Sequence, residues 1–276
     1  MKAFSLGATD DPKLSRILDE NGDWTHYFDE ESKRTLRATN FILSRGFNKG
    51  YAYYEALKNS TPEEWERKMQ KGADKGDAVH QAATILFSTG KIDITTQILA
   101  DDNKTLRNLT RGEWKAVLAL GRLFNDHGMK LATPTSFEKS VKNLEIGYAG
   151  TADWFAIMTK ECGNRYCKCK NFIGKLGLGD HKSGKGVYAD YGPQTASYAH
   201  ADLTKILGDK KPEFTFIDHI GVDTERGYRI AFYDAEETER HWKEFLAADV
   251  IMRNDYKPFD FLNDNEEIEE KAEITL

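Results

Sequence analysis

The chain has 276 residues, of which 39% are hydrophobic, 30% charged and 12% aromatic; this is enough apolar chain to close a core unaided, and it excludes a disordered, fibrous or disulfide-framework protein. No apolar run approaches the roughly 20 residues that span a bilayer, and the opening MKAFSLGATDDPK turns polar too early for a signal-peptide core, so a cytoplasmic protein with no membrane partner is expected. The net charge of −6 is local, because seven acids against one lysine between Asp260 and the C-terminus account for all of it; the remaining body is formally neutral and can present a basic face to a polyanion.

In chain order, residues 1–35 are polar and aperiodic and read as an extended arm. Residues 36–133 read as the helical N-terminal part of one domain. The apolar spacing predicts a helix from Arg37 to Leu57. A second is predicted from Pro62 to Ser88, capped by Ser60 or Thr61, led by Pro62 and Glu63, and bent or broken near Gly72 and Gly76. Its Val79, Ala82, Ala83, Leu86 and Phe87 form one stripe. A third, Gly112 to Met129, turns Trp114, Val117, Leu118, Leu120 and Leu123 inward.

After Pro134 the pattern becomes short alternating runs joined by glycines. Strands are predicted over Phe137–Ile146, Gly147–Met158 and Leu176–His181, a helix over Pro193–Leu207, strands over Phe214–Val222 and Tyr228–Tyr233, and a helix over Ala235–Met252. Residues 134–259 therefore form an α/β core, and residues 260–276 an acidic, solvated tail. Neither an internal repeat nor a Gly/Ser linker divides the chain.

Two segments concentrate chemistry: GYAGTADWFAIM, with Asp153, and LGLGDHKSGK, with Asp180 and Lys182. Residues two apart on a strand share a face, so Asp180 and Lys182 stand together while His181 points away. Asp153 can meet them from the neighbouring strand. Glu138 at the start of the preceding strand, or Glu145 nearer the GTAD segment, offers another carboxylate, and His80 offers an imidazole from a helix. Two carboxylates about 4 Å apart repel by roughly 4 kcal/mol at an effective dielectric near 20, more than one lysine offsets for a cluster. A divalent cation removes the difficulty. Hard oxygens with one imidazole suit Mg²⁺ or Mn²⁺, which polarises a phosphate and generates hydroxide, with Lys182 orienting water or stabilising charge. Taken singly each element has a plainer reading: an Asp-x-Lys strand is usually a solvated ion pair, and His80 on an apolar helix is usually a core histidine.

Together, and in this order, the elements resemble the PD-(D/E)XK nucleases, and within them the RecB-like exonuclease branch of lambda-type and CRISPR-adaptation nucleases. The resemblance rests on GDAVH (His80), GTAD (Asp153), DHK (Asp180, Lys182) and QTASY (Gln194, Tyr198) and covers about residues 76 to 200. It implies a restriction-endonuclease-like core, a central mixed sheet flanked by helices. It further implies that His80, Asp153, Asp180 and the backbone carbonyl of His181 are metal ligands and that Lys182 is the catalytic lysine; Glu138, with Glu145 as its alternative, is a further candidate catalytic carboxylate from the residues alone. Gln194 and Tyr198 would contact DNA or brace the site, with Lys185 adding to the basic cluster. The activity implied is metal-dependent hydrolysis of DNA, exonucleolytic on single strands or duplex ends, alongside phage or bacterial recombination or repair proteins. Two other readings compete, a non-catalytic nucleic-acid-binding protein on the same scaffold and a site- or structure-specific endonuclease.

Cys162, Cys167 and Cys169 fall between the two motif strands with Cys-x4-Cys-x-Cys spacing. Some relatives hold an iron–sulfur cluster on four cysteines, a pattern from which this chain departs. Free thiols are the default reading, and a zinc site completed by a nearby histidine is the alternative. The same insertion carries Arg165, Lys168, Lys170 and Lys175, which can track a DNA backbone or form an exposed basic hairpin.

Overall fold

In the computed structural model, which describes residues 5–7, 9–18, 24–47, 58–100, 105–183 and 188–255, the polar N-terminal stretch is not an arm. Its described residues form β1 (Ser5–Gly7), β2 (Leu14–Leu18), β3 (Trp24–Asp29) and β4 (Arg34–Ala38), paired as an antiparallel meander. The pattern is hard to see because the buried hydrophobics of β2–β4 are few, Leu14, Tyr27, Leu36 and Ala38, gathered into a small cluster with Ala149.

β4 runs directly into α1 (Thr39–Gly46), so the helix expected from Arg37 begins two residues late, and its continuation past residue 47 lies outside the described residues. α2 (Pro62–Thr89) starts at Thr61, whose side chain accepts from the Glu64 backbone N–H in a reciprocal capping box, and stops at Gly90 with φ of +73°. No break occurs at Gly72 or Gly76; a helix-interior glycine costs only about 1 kcal/mol relative to alanine, less than the capped and buried remainder supplies. β5 (Gln97–Leu99) and β6 (Leu106–Asn108) make a separate hairpin too short to register as a pattern. α3 (Arg111–His127) has its own capping box at Thr110 and Glu113, and Arg107 grips the Glu113 carboxylate at 2.8 and 2.9 Å. Leu118, expected inward, is 42% exposed, because the buried face runs through Ala116, Leu120 and Leu123.

The second half follows as β7 (Lys130–Leu131), β8 (Phe137–Asn143), β9 (Tyr148–Ile157), a 3-10 turn at Lys168–Phe172, β10 (Leu176–Lys182), α4 (Tyr191–Ala199), α5 (Thr204–Leu207), β11 (Phe214–Ile220), β12 (Tyr228–Tyr233) and α6 (Ala235–Asp255). The single helix expected over Pro193–Leu207 is two. Asn143 Nδ2 donates to the His200 carbonyl and the Asp202 N–H to the Lys142 carbonyl, which draws the chain out between them.

Among the described residues ten strands form one mixed sheet in the order β1-β2-β3-β4-β9-β10-β11-β12, with β7 and β8 along the other edge of β9. β4–β9 and β10–β11 are parallel. α3 packs on β11 and β12, its Ala116 and Leu120 clustering with Trp154, Phe216 and Ile220. On the opposite face α1, α4 and α6 pack together, with Ile42, Leu43, Tyr148, Phe245 and Met252 between them. The buried ion pair Arg37 to Asp249, 2.8 Å, ties β4 to α6. Among the described residues no helix is long and apolar enough to cross a membrane. The acidic tail lies outside the described residues.

The glycines of LGLGD are set by close approach. A Cβ on Gly177 would lie 2.3 Å from the Phe214 ring, and one on Gly179 would lie 2.4 Å from Phe216 and 2.8 Å from Trp154. Overpacking of this kind typically costs 1–3 kcal/mol, so Gly179→Ala is expected to lose about that much in urea unfolding. An unchanged midpoint would show that the two rings are not held against β10.

Candidate metal and catalytic centre

β9 changes partner partway along its length. It pairs with β4 at Tyr148 and Ala149 and with β10 from Trp154 to Ile157, and between these the sheet forks. Asp153 stands in the fork, with the His181 backbone N–H donating to its Oδ2 at 2.6 Å. Gly150, the glycine of GTAD, leaves the room this requires: a Cβ there would come within 2.6 Å of Tyr198 and 2.8 Å of Thr39 Oγ1. Gly76 of GDAVH is under no such constraint, its nearest neighbour being Ser183 Oγ at 3.8 Å.

Asp180 and Lys182 share the face of β10 turned to α4, as the strand period requires, and form a buried ion pair through Asp180 Oδ2. Lys182 Nζ also donates to Gln194 Oε1 at 2.8 Å, and Gln194 Nε2 donates to Tyr198 OH at 3.0 Å and to Asn40 Oδ1 at 3.1 Å. The two residues of QTASY thus hold the lysine head. His181 points to the other face, where its ring bonds Asp218, which in turn accepts from Trp154 Nε1 at 3.2 Å.

His80 arrives on α2, seated by the buried Val79, Ala82 and Ala83, and α2 is anchored to the end of β10 by Lys75 Nζ donating to the Ser183 carbonyl at 3.3 Å. Its Nδ1 lies 2.6 Å from Glu138 and 3.9 Å from Asp153. Donor atoms of His80, Glu138 and Asp153 all fall within 4.8 Å of one another, an arrangement that fits one metal ion. Glu138 rather than Glu145 reaches the group; Glu145 is exposed in the β8–β9 turn. Glu138 holds φ at +48°, a left-handed conformation that costs a residue with a Cβ about 1–3 kcal/mol and persists only where its surroundings fix it. Asp180 stands beside this trio, engaged with Lys182, and Lys185 lies outside the described residues.

Charge balance explains the proton positions. Burial pushes the Asp153 carboxyl up, against the opposing charge of His80. Burial pushes Asp180 up to about 6 in spite of Lys182, with the Asp153 charge adding to the rise. His80 and Lys182 go the other way from what burial alone would do. Asp153 and the Glu138 hydrogen bond outweigh burial and bring His80 to about 10, while Asp180 and Asp153 raise Lys182. Lys182 is therefore an ammonium at neutral pH and acts as a donor, not as a base.

A cleft of about 290 Å³ opens over the group and is walled on its far side by Arg16, Trp24, Tyr27 and Asn40 from the N-terminal meander and α1. The Arg16 guanidinium lies 4.4 Å over the Trp24 ring. Sequence reasoning missed these four, since they share neither motif nor proximity in sequence with GTAD or DHK. A larger cleft, about 580 Å³, lies between α4, α5 and the start of α6, but it holds no comparable convergence of ligand-type side chains among the described residues. The chain matches no protein-family model and no curated protein sequence.

The pH dependence has a definite sign. Asp180, raised from 3.8 to about 6, favours folding below its unfolded value and loses that contribution as pH climbs through 6. His80, raised from 6.5 to about 10, contributes fully below 6.5 and loses its contribution as pH passes through 10. In protein free of Mg²⁺ and Mn²⁺ these two groups should thus contribute less to stability at pH 7.5 than at pH 4.5, read as the wild-type minus Asp180→Asn melting difference at each pH, since His26, His127, His200 and His219, lowered by burial, act with the opposite sign in both proteins. Millimolar Mn²⁺ should raise the melting temperature more at pH 7.5, where the ligands are easier to deprotonate. An equal metal shift at both pH values would remove the cluster as the binding site.

Proposed function

We propose that the chain is a metal-dependent deoxyribonuclease of the PD-(D/E)XK type, with a restriction-endonuclease-like core, acting as a RecB-like exonuclease on DNA ends or single strands in recombination or repair. The observation that carries this reading is the convergence of His80, Glu138 and Asp153 within 4.8 Å beside the buried Asp180–Lys182 pair, at a sheet fork open to a cleft.

The donor set fits the implied metal. Two carboxylates and one imidazole are hard-to-borderline ligands suited to Mg²⁺ or Mn²⁺, and the buried negative charge of Asp153 and Asp180 calls for a cation. Bound there, such an ion would supply phosphate polarisation and an activated water. The chain's own residues supply the rest. His80, Glu138 and Asp153 offer the ligands, with Asp180 next to them. Lys182, protonated and held by Asp180 and Gln194, is preorganised to donate to charge that develops on the phosphoryl oxygens. Arg16 and Trp24 wall the cleft with a guanidinium stacked over one face of the indole; the cation would meet a backbone phosphate, and the part of the indole left exposed would meet a base of a single strand.

Linear and circular DNA incubated with EDTA, Mg²⁺ or Mn²⁺ test the activity: metal-dependent loss of linear DNA alone is expected. Loss of both forms would make the enzyme an endonuclease, and binding without loss would make it a non-catalytic binder. Lys182→Ala should cut the rate by roughly 10²–10³ with DNA binding retained, and Asp153→Asn should abolish cleavage together with the Mn²⁺ melting shift. Wild-type turnover in Lys182→Ala would remove its assignment. Trp24→Ala should weaken single-strand binding by about 1–3 kcal/mol while leaving the Mn²⁺ shift in place, read by fluorescence anisotropy with a short labelled oligonucleotide.

A further inference from the structure

The connection between β9 and β10 carries the chain's three cysteines, and nothing in the proposed hydrolysis uses them. The structure adds a residue that the spacing did not identify. The sulfurs of Cys162, Cys167 and Cys169 and a ring nitrogen of His127, the last residue of α3, lie within 4.8 Å of one another.

The distances decide what kind of group this is. Cys162 Sγ and Cys169 Sγ are 3.7 Å apart, and Cys167 Sγ is 3.9 Å from His127 Nε2. A disulfide needs about 2.05 Å, so the cysteines are not joined to one another. A tetrahedral zinc ion with Zn–S near 2.3 Å and Zn–N near 2.0–2.1 Å separates its ligand atoms by about 3.5–3.8 Å. Both separations lie close to that edge length. An iron–sulfur cluster spreads its ligands over two or more irons, whereas these four meet around one point.

The imidazole is set for the role. His127 is fully buried, and its Nδ1 lies 3.1 Å from the Leu123 carbonyl. A proton on Nδ1 is donated there, which leaves Nε2 unprotonated on the side of Cys167, the arrangement that second-sphere carbonyls impose on metal-binding histidines. The Tyr228 and Phe232 rings stand edge-on to it at 5.9 and 6.0 Å and fix its plane. Arg226 Nη1 donates to the Cys162 carbonyl at 3.0 Å and pairs with Asp126, the neighbour of His127, at 3.2 Å, which ties the first cysteine of the loop to the end of α3.

We propose that Cys162, Cys167, Cys169 and His127 form a Cys3His zinc site with a structural role. Four protein ligands fill a tetrahedral shell and leave no position for substrate, and none of the four lines the catalytic cleft. The site staples the insertion to the end of α3. Main-chain bonds from the Thr159 and Lys160 N–H groups to the His127 carbonyl, at 3.2 and 3.1 Å, already hold the near end of the loop there; zinc fastens the far end, Cys162 to Cys169.

Protein purified without chelator and analysed by plasma mass spectrometry should hold about one zinc per chain. Titration with p-hydroxymercuribenzoate should release it as the three thiols react. Replacement by Co²⁺ should give the intense visible absorption of a tetrahedral thiolate site. Cys169→Ser and His127→Ala should hold less than about a tenth of that zinc and melt roughly 5–15 °C lower. The cobalt spectrum and mercurial titration use the wild-type chain, so they stand even where a variant fails to fold. Asp153→Asn should keep its zinc, which separates this site from the catalytic cluster whatever becomes of the nuclease reading. Zinc-supplemented wild-type protein whose three thiols react freely without releasing zinc would overturn the proposal, as would zinc that disappears with Asp153 and persists in Cys169→Ser.

Discussion

Asp153 and Asp180 are buried close together at the fork where β9 leaves β4 and takes up β10, and a folded chain can keep negative charge there only if its neighbours answer it. Removing ions from water costs several kcal/mol each. The answer comes from three directions: the His181 backbone N–H, the Lys182 ammonium and the raised His80 imidazole. Each depends on a different element. The N–H depends on the β9–β10 register, the ammonium on α4 through Gln194, and the imidazole on α2. The glycines follow from the same requirement. Gly150 opens the fork to Tyr198, and Gly177 and Gly179 let Phe214 and Phe216 close the opposite face so that Asp180 is backed by a dry core. Stability is spent at this point, in raised carboxyls and in the left-handed Glu138, as is usual where a site rather than a core fixes the residues.

How much of this was legible in the sequence depended on range. The strand period alone put Asp180 and Lys182 on one face and His181 on the other, and the short turn between β8 and β9 made those two strands neighbours. Those are local inferences, and the described structure agrees with them. The N-terminal meander was not legible, because its strands bury so few side chains that no two-residue period emerges from Leu14, Tyr27 and Leu36. Arg16, Trp24 and Asn40 reach the cleft only through that meander and α1. The split between α4 and α5 was hidden for a related reason: it is imposed by hydrogen bonds from Lys142 and Asn143, which lie about 60 positions earlier. His127 was equally out of reach, one of seven histidines, selected by where α3 ends rather than by its spacing from Cys162.

The two ligand groups differ in chemistry in a way that keeps them apart. His80, Glu138 and Asp153 offer oxygen and one nitrogen, matched to hard divalent cations, while the cysteine group offers polarisable sulfur. A cell that supplies both kinds of ion can load each group with its own. The distinction matters because the two groups are close along the chain: β9 contributes Asp153 to the first, and the connection from β9 to β10 contributes the three cysteines of the second.

That placement has a mechanical consequence for the Asp180–Lys182 pair. The hairpin register sets Gly179 opposite Trp154 and Leu176 opposite Ile157, and since the side-chain period of a strand is two, a slip of one residue exchanges its faces. Slipped β10 would drive Asp180 and Lys182 under Trp154 and Phe216, turn His181 into the cleft, and push Leu178 into the space that Gly177 and Gly179 leave for the phenylalanine rings. The glycines resist this sterically from within the strands. A loop fastened at Cys162, Cys167 and Cys169 to the end of α3 resists it from outside, by fixing how much chain separates Ile157 from Leu176. The charge pair on which hydrolysis would depend is thus held in register from two sides, by close packing along β10 and by the closure of the connection that feeds it.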